Sequence, residues 1–392
     1  MIAVSAFDRG RFAEAEQGFG QALERAGSGS AQAADLAQRR AVAIYKQGDA
    51  AREGGRMREA IAHFERLATL APQASMRAAA QFDVATALLG LKDWAAAATS
   101  LEDFRRRHPG HVLQADVPAK LALAYSEQKR WAAAANEYER MAATQTDLKL
   151  RRSAMWQVAD LHEKAIGDGA PRKTAIAAYE RYVGAWPQPL EAATEARWKL
   201  VQLTRADGQA AKALVWTKAL RALEVAGGET RTARSKTLSS LAAIDLAQPL
   251  REAYDKVKLV EPLAANLKKK KASMETLLKA YAEASTEGAA EAVTAATFYT
   301  AALYQDFGKA MLGSQRPRNL KKIELEQYNV LLEEQAFPFE EKAITLHETN
   351  ARRTTQGLYD DWIKKSLAAL ATLKPVRWAK SERSEEALDA IR

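Results

Sequence analysis

Residues 94–109 read WAAAATSLEDFRRRHP, and residues 131–146 read WAAAANEYERMAATQT. The two stretches lie 37 residues apart, and residues 57–72, MREAIAHFERLATLAP, stand another 37 upstream. Each carries a bulky residue, an alanine three positions on, and a second bulky residue four beyond that: Met57, Ala60 and Phe64; Trp94, Ala97 and Leu101; Trp131, Ala134 and Tyr138. Spacings of three and four put all three residues on one face of a helix. Phe12, Ala15 and Phe19 repeat the pattern near the start of the chain. Self-similarity at a fixed period of this size marks a stacked repeat, in which each unit packs only on its neighbours.

A second helical stretch precedes each anchor. Gly48, Ala85 and Ala122 lie nine residues before Met57, Trp94 and Trp131. Small residues there let two paired helices cross closely. Pro72 and Pro109 follow the anchors by fifteen residues and end the second helix. Pro187 closes a further unit containing Ala175, Tyr179 and Tyr182, with a four-residue expansion, EKAIGDGAPRK, expected in its inter-helix turn. A weaker unit with Trp198, Leu200, Ala213 and Trp216 runs to about residue 225.

The paired small positions (Gly48 with Ala60, Ala85 with Ala97, Ala122 with Ala134), the aromatic anchors and the terminal prolines resemble the tetratricopeptide repeat. That family's usual period is about 34 residues; the longer one here is similar to the divergent repeats of bacterial envelope proteins. The resemblance implies an all-α fold: a right-handed α-solenoid of helical hairpins over 1–225, then a helical C-terminal region over 226–392 that packs on or continues it. It implies a scaffold rather than an activity. Placing Phe12 on the anchor puts Ala3 on the first small position, so the first unit is expected to be truncated and the chain to be a section of a longer one.

After Gly227 and Gly228 the signature fades, while apolar residues keep helical spacing over 234–246, 250–260, 267–283, 289–312, 321–335, 340–349 and 358–373. The stretch 289–312, with Phe298, Tyr299, Tyr304 and Phe307, reads as a buried core helix. Tyr359, Trp362, Ile363, Leu367 and Leu370 form one apolar stripe expected to dock on neighbouring helices, with Pro375 as its end. The segment 381–392, SERSEEALDAIR, reads as a polar helix. Residues 337–382 are similar to segments of large bacterial envelope repeat proteins that accompany gliding or TonB-like systems.

Composition narrows the chemistry. The chain has 58 basic and 49 acidic residues, a net charge of +9, and no cysteine. Disulfides, thiolate metal sites and cysteine nucleophiles are excluded. No run approaches the 18 or so apolar residues of a membrane helix. None of the five histidines pairs with another at metal-ligand spacing. His108-Pro-Gly-His111 brackets a turn, and His347-Glu348 lacks the second histidine of a zinc-protease motif. There is no GxxxxGK[ST] loop, GxGxxG turn or GxSxG elbow. No enzyme activity, cofactor, metal or small-molecule substrate is expected. The run Lys268 to Lys271 reads as a solvated face. A basic nucleic-acid-binding array is the alternative reading, and the interleaving of acids with bases along most helices argues against it.

Three residues before each small position stand Tyr45, Phe82, Ala119 and Trp156, again 37 residues apart. In the repeat that the chain resembles, this position faces the concave groove. One turn on lie Asp49, Thr86, Leu123 and Asp160, with Arg52, Glu53, Glu127 and Lys164 at the rim. The candidate groove is therefore Tyr45, Asp49, Arg52, Phe82, Thr86, Leu123, Trp156 and Asp160. An aromatic row flanked by acids suits an extended or helical peptide with basic and apolar residues. The competing reading is that the aromatics fill the gaps between successive first helices. The expected function is a non-catalytic protein-interaction scaffold in a bacterial envelope assembly, located in the periplasm or envelope, with the cytoplasm as the alternative. Its protein partner would lie in the groove, with membrane association only through a region outside this chain.

Overall fold

The computed structural model describes residues 2–26 and 29–379, so the polar segment 381–392 lies outside the described residues. Among the described residues there are 18 α-helices and no strand. They form two compact units, Met1–Gly184 and Ala185–Arg392. The first contains α1 (Ile2–Asp8), α2 (Phe12–Arg25), α3 (Ala31–Glu53), α4 (Met57–Leu70), α5 (Arg77–Gly90), α6 (Trp94–Arg107), α7 (Val117–Glu127), α8 (Trp131–Thr144), α9 (Leu148–Ala165) and all but the last residue of α10 (Arg172–Ala185). The second contains α11 (Leu190–Ala206), α12 (Ala210–Val225), α13 (Ala233–Lys256), α14 (Leu263–Ala284), α15 (Ala290–Leu312), α16 (Lys322–Arg352), α17 (Asp361–Leu373) and α18 (Pro375–Trp378).

The anchors Phe12, Met57, Trp94 and Trp131 are each the first residue of a second helix. One backbone turn sets them there. The residue before the anchor (Arg11, Arg56, Asp93, Arg130) holds φ between −81° and −86° and ψ between 63° and 73°. The residue before that is left-handed: Gly10 at φ 75°, Gly55 at 74°, Lys92 at 60° and Lys129 at 57°. The N–H of the pre-anchor residue donates to the carbonyl five residues back, Arg11 to Ala6, Arg56 to Ala51, Asp93 to Leu88 and Arg130 to Tyr125, at 2.8–3.0 Å. This is the Schellman closure of a helix C-terminus. Gly208 and Gln209 repeat it ahead of α12, where Gln209 donates to Thr204 at 2.8 Å.

The small residues sit where the helices cross. A Cβ at Gly48 would come within 2.5 Å of Phe64, and Ala85, Ala122, Ala159, Ala60, Ala97, Ala134 and Ala175 are all at most 1% exposed. Gly18 and Ala3 meet in the same way, with 2.7 Å between their Cβ positions. The expansion lies between the helices of its hairpin, as a 3-10 turn over Ile166–Asp168 and a left-handed Gly169 before α10. Pro72, Pro109 and Pro187 fall just beyond the ends of α4, α6 and α10.

The second unit departs from the sequence reading in three places. The helical stretches read as broken over 247–249 and 336–339, yet α13 and α16 run through both gaps, Pro249 and Pro338 included. Each proline removes one backbone donor. Burial on one face continues across it, Ala247 with Tyr254 on α13 and Ala336 with Ala343 on α16, and tertiary packing outweighs the lost bond. Tyr359 precedes α17 and is 64% exposed, so the docking stripe is carried by Ile363 and Leu370, with Trp362 and Leu367 half-buried. Lys268, Lys269 and Lys271 are exposed, but Lys270 is buried. Its ammonium donates to the carbonyls of Tyr254 at 3.1 Å and Val257 at 2.9 Å, closing the C-terminus of α13. Helix α15 is the core element expected, with Ala292, Ala295, Leu303 and Phe307 fully buried.

Candidate peptide-binding face

Helices α3, α5, α7 and α9 are the first helices of successive hairpins, so residues 37 apart take equivalent places on them. The aromatics at those places do not stand free. Tyr45 packs on Phe64 at 5.3 Å, Phe82 on Phe104 at 5.4 Å, and Trp156 on Tyr179 and Tyr182 at 5.8 and 5.2 Å between ring centres. Every partner belongs to the second helix of the same hairpin. Phe82 is 6% exposed, and Lys120 of α7 lies over its ring at 5.4 Å. Tyr45 and Trp156 are half-buried. The aromatics of the expected row thus share their packing with the second helix of their own hairpin. The reason is geometric: a residue three before the crossing position shares its face, which points at the paired helix.

The residues one turn on are more accessible. Leu123 is 46% exposed on α7. Thr86 is half-buried, and its hydroxyl donates to the Phe82 carbonyl at 3.1 Å. Asp49 pairs with Arg52 and, at 3.6 Å, with Lys46. Asp160 pairs with Lys164 at 2.8 Å. The acids expected to attract a basic peptide are therefore already matched within their own helices.

The link between α3 and α5 is made by a residue that the periodic reading passed over. Asp83 of α5 accepts from the Tyr45 hydroxyl at 2.5 Å and from the Arg52 guanidinium at 2.8 Å, both on α3. Two consecutive first helices are tied by this one carboxylate. Burial raises the pKa of the Tyr45 phenol, and the bond to Asp83 raises it further, so the phenol stays a donor. No repeat signal marks Asp83, because Lys46 and Lys120 occupy the equivalent places 37 residues either side. The clefts of about 240 Å³ beside Met155 and Val158, and about 230 Å³ beside Phe7 and Phe19, include none of the eight candidate residues.

The histidines near this unit serve local structure. His108 contacts the Gln81 amide at 3.2 Å, and His111 accepts from the Leu113 N–H at 3.2 Å. Among the described residues no cluster of three or more His, Asp or Glu is placed to hold a metal. Among them, too, no helix is long and apolar enough to cross a membrane.

Residues 37–117 match the model of the family described as YfiO, outer membrane lipoprotein. That stretch covers α4, α5 and α6 and most of α3. No curated protein matches the chain. Similar solved structures include a tetratricopeptide repeat protein from Parabacteroides merdae, 13% identical, with 75% of this chain and 95% of that one covered and a TM-score of 0.28. A structure of Naa15/Naa10 bound to HypK-THB is 14% identical, with 97% of this chain and 55% of that one covered, at a TM-score of 0.38. The P58(IPK) TPR domain is 16% identical, with 96% and 98% covered, at 0.23. The hairpins described above, with small residues at each crossing and one recurring turn, are tetratricopeptide-type repeats, and the chain is an all-α helical-repeat protein.

Proposed function

We propose that the chain is a non-catalytic scaffold that binds a protein segment along the face built by α3, α5, α7 and α9. The observation that carries this is the Asp83 link: side chains on this face are fixed by bonds between successive repeats before any partner arrives. A face already ordered loses little conformational entropy on binding. Leu123 of α7 supplies exposed apolar surface. A place in a cell-envelope assembly is supported by the family match over 37–117 and by the resemblance of 337–382 to envelope repeat proteins.

The test is site-specific photo-crosslinking in the native cells. A photoreactive side chain at Leu123 is expected to give a discrete protein adduct. The same group at Glu65, exposed on the second helix α4, is expected to give none. An identical adduct pattern from both positions contradicts the proposal.

A further inference from the structure

Helix α16 has 31 residues, and α15, which packs against it, has 23. Gly308 of α15 lies against Ala336 of α16, whose carbonyl is 3.5 Å from where a Cβ on the glycine would stand. Tyr304 and Phe307 meet Phe339 at 6.3 and 4.7 Å. Beyond Gly308, α15 runs only to Leu312, whereas α16 reaches back from Ala336 to Lys322. About ten residues of α16 therefore overhang its partner helix, a length of about 15 Å. The Arg316 guanidinium, donating to the Asn329 side chain at 2.7 Å, braces the overhang. No residue of 322–335 is buried.

The overhang has two faces. Leu325, Tyr328 and Leu332 are on the half-buried one, in line with buried Ala336. The other carries Ile323, Val330 and Phe337 at seven-residue intervals, with Leu331 beside them; they are 70%, 54%, 59% and 56% exposed. Apolar residues at this spacing are what one helix offers to another. Around them Glu326, Glu333, Glu334, Glu340 and Glu341 are exposed, and none makes an ion pair among the described residues. The face is acidic on a chain whose net charge is +9.

We propose that this exposed face of α16 docks a basic amphipathic helix of a partner protein. The charge decides among occupants. An anionic lipid surface is repelled by the glutamates. A second copy pairing antiparallel about Val330 would set Glu326 of one chain against Glu334 of the other, a like-charge contact that disfavours it. A helix with leucines on one side and lysines on the flanks meets both the apolar row and the carboxylates.

The test uses the full chain and a labelled synthetic helix of leucines and lysines in amphipathic order, followed by fluorescence anisotropy at about 0.1 M salt. A scrambled peptide of the same composition and a leucine–glutamate peptide serve as comparisons. The expected result is binding of the ordered basic peptide alone. That binding should weaken about tenfold or more in a Val330→Glu/Leu331→Glu variant, whose folding is preserved because both sites are exposed. Equal binding by the variant, the scrambled peptide or the acidic peptide overturns the proposal. So does concentration-dependent dimerisation of the unaltered chain that the variant abolishes, because a second copy would then be the occupant. The substitutions lie outside the repeat face around Asp83, so either result leaves the crosslinking at Leu123 to be judged separately.

Discussion

A Cβ at position 48 would sit 2.5 Å from Cε1 of Phe64, inside the contact limit of any carbon pair. Gly48→Ala gains about 1 kcal/mol of helix propensity. It also forces the Phe64 ring to move, at about 1–3 kcal/mol for overpacking. The net result expected is a loss of stability in urea unfolding. Gly90→Ala, with nothing within 4 Å of its Cβ, is expected to gain a few tenths to about 1 kcal/mol. His347 makes the opposite point, that a residue dismissed as a ligand still has consequences. It is 1% exposed, packs on Phe298 at 5.7 Å, and neither ring nitrogen has a hydrogen-bond partner. Burial pulls its pKa down from 6.5 to about 4. The folded state thus favours the neutral ring, and between those two values the unfolded chain binds the extra proton. Stability from this group is complete above about pH 6.5 and is lost as pH falls towards 4, by up to about 3 kcal/mol. Thermal unfolding across that range should show a slope that His347→Leu flattens. The same slope in both proteins would assign it elsewhere.

At the scale of the element, the repeats were legible because crossing helices tolerate only small side chains, and Gly48, Ala85 and Ala122 kept their period. The turn was equally legible and went unread. Gly10, Gly55 and Gly208 stand two residues before the second helix, and lysine replaces glycine in two units. Lys92 and Lys129 are held left-handed at a cost of about 1 kcal/mol that glycine avoids. Lys92→Gly and Lys129→Gly are therefore expected to raise the melting temperature, although glycine elsewhere in a helix lowers it. Counting position along one helix does not reveal that a residue three before the crossing shares its face with the paired helix. Asp83 and Lys270 carried no periodic signal, since each acts on a single neighbouring helix. Asp83→Asn is expected to cost about 1–3 kcal/mol. In a double-mutant cycle with Tyr45→Phe the two should couple by about 0.5 kcal/mol or more. Additive losses would show that the bond between the repeats contributes nothing.

At the scale of the molecule, the two compact units divide at Gly184, inside the stretch that the sequence reads as one array. The hairpin of α11 and α12 keeps the same turn on the far side of that division, so compactness and repeat pattern are separate properties of this chain. The helices beyond residue 226 were legible as helices but not as lengths. Their stretches read as broken around Pro249 and Pro338, and burial on both sides shows that the helices continue. The central claim is that the first-helix face around Asp83 and Leu123 binds protein. Photo-crosslinking from Leu123, compared with Glu65, tests it most directly. The account predicts a discrete adduct from Leu123 alone, and no adduct from Leu123, or the same adducts from both positions, would contradict it.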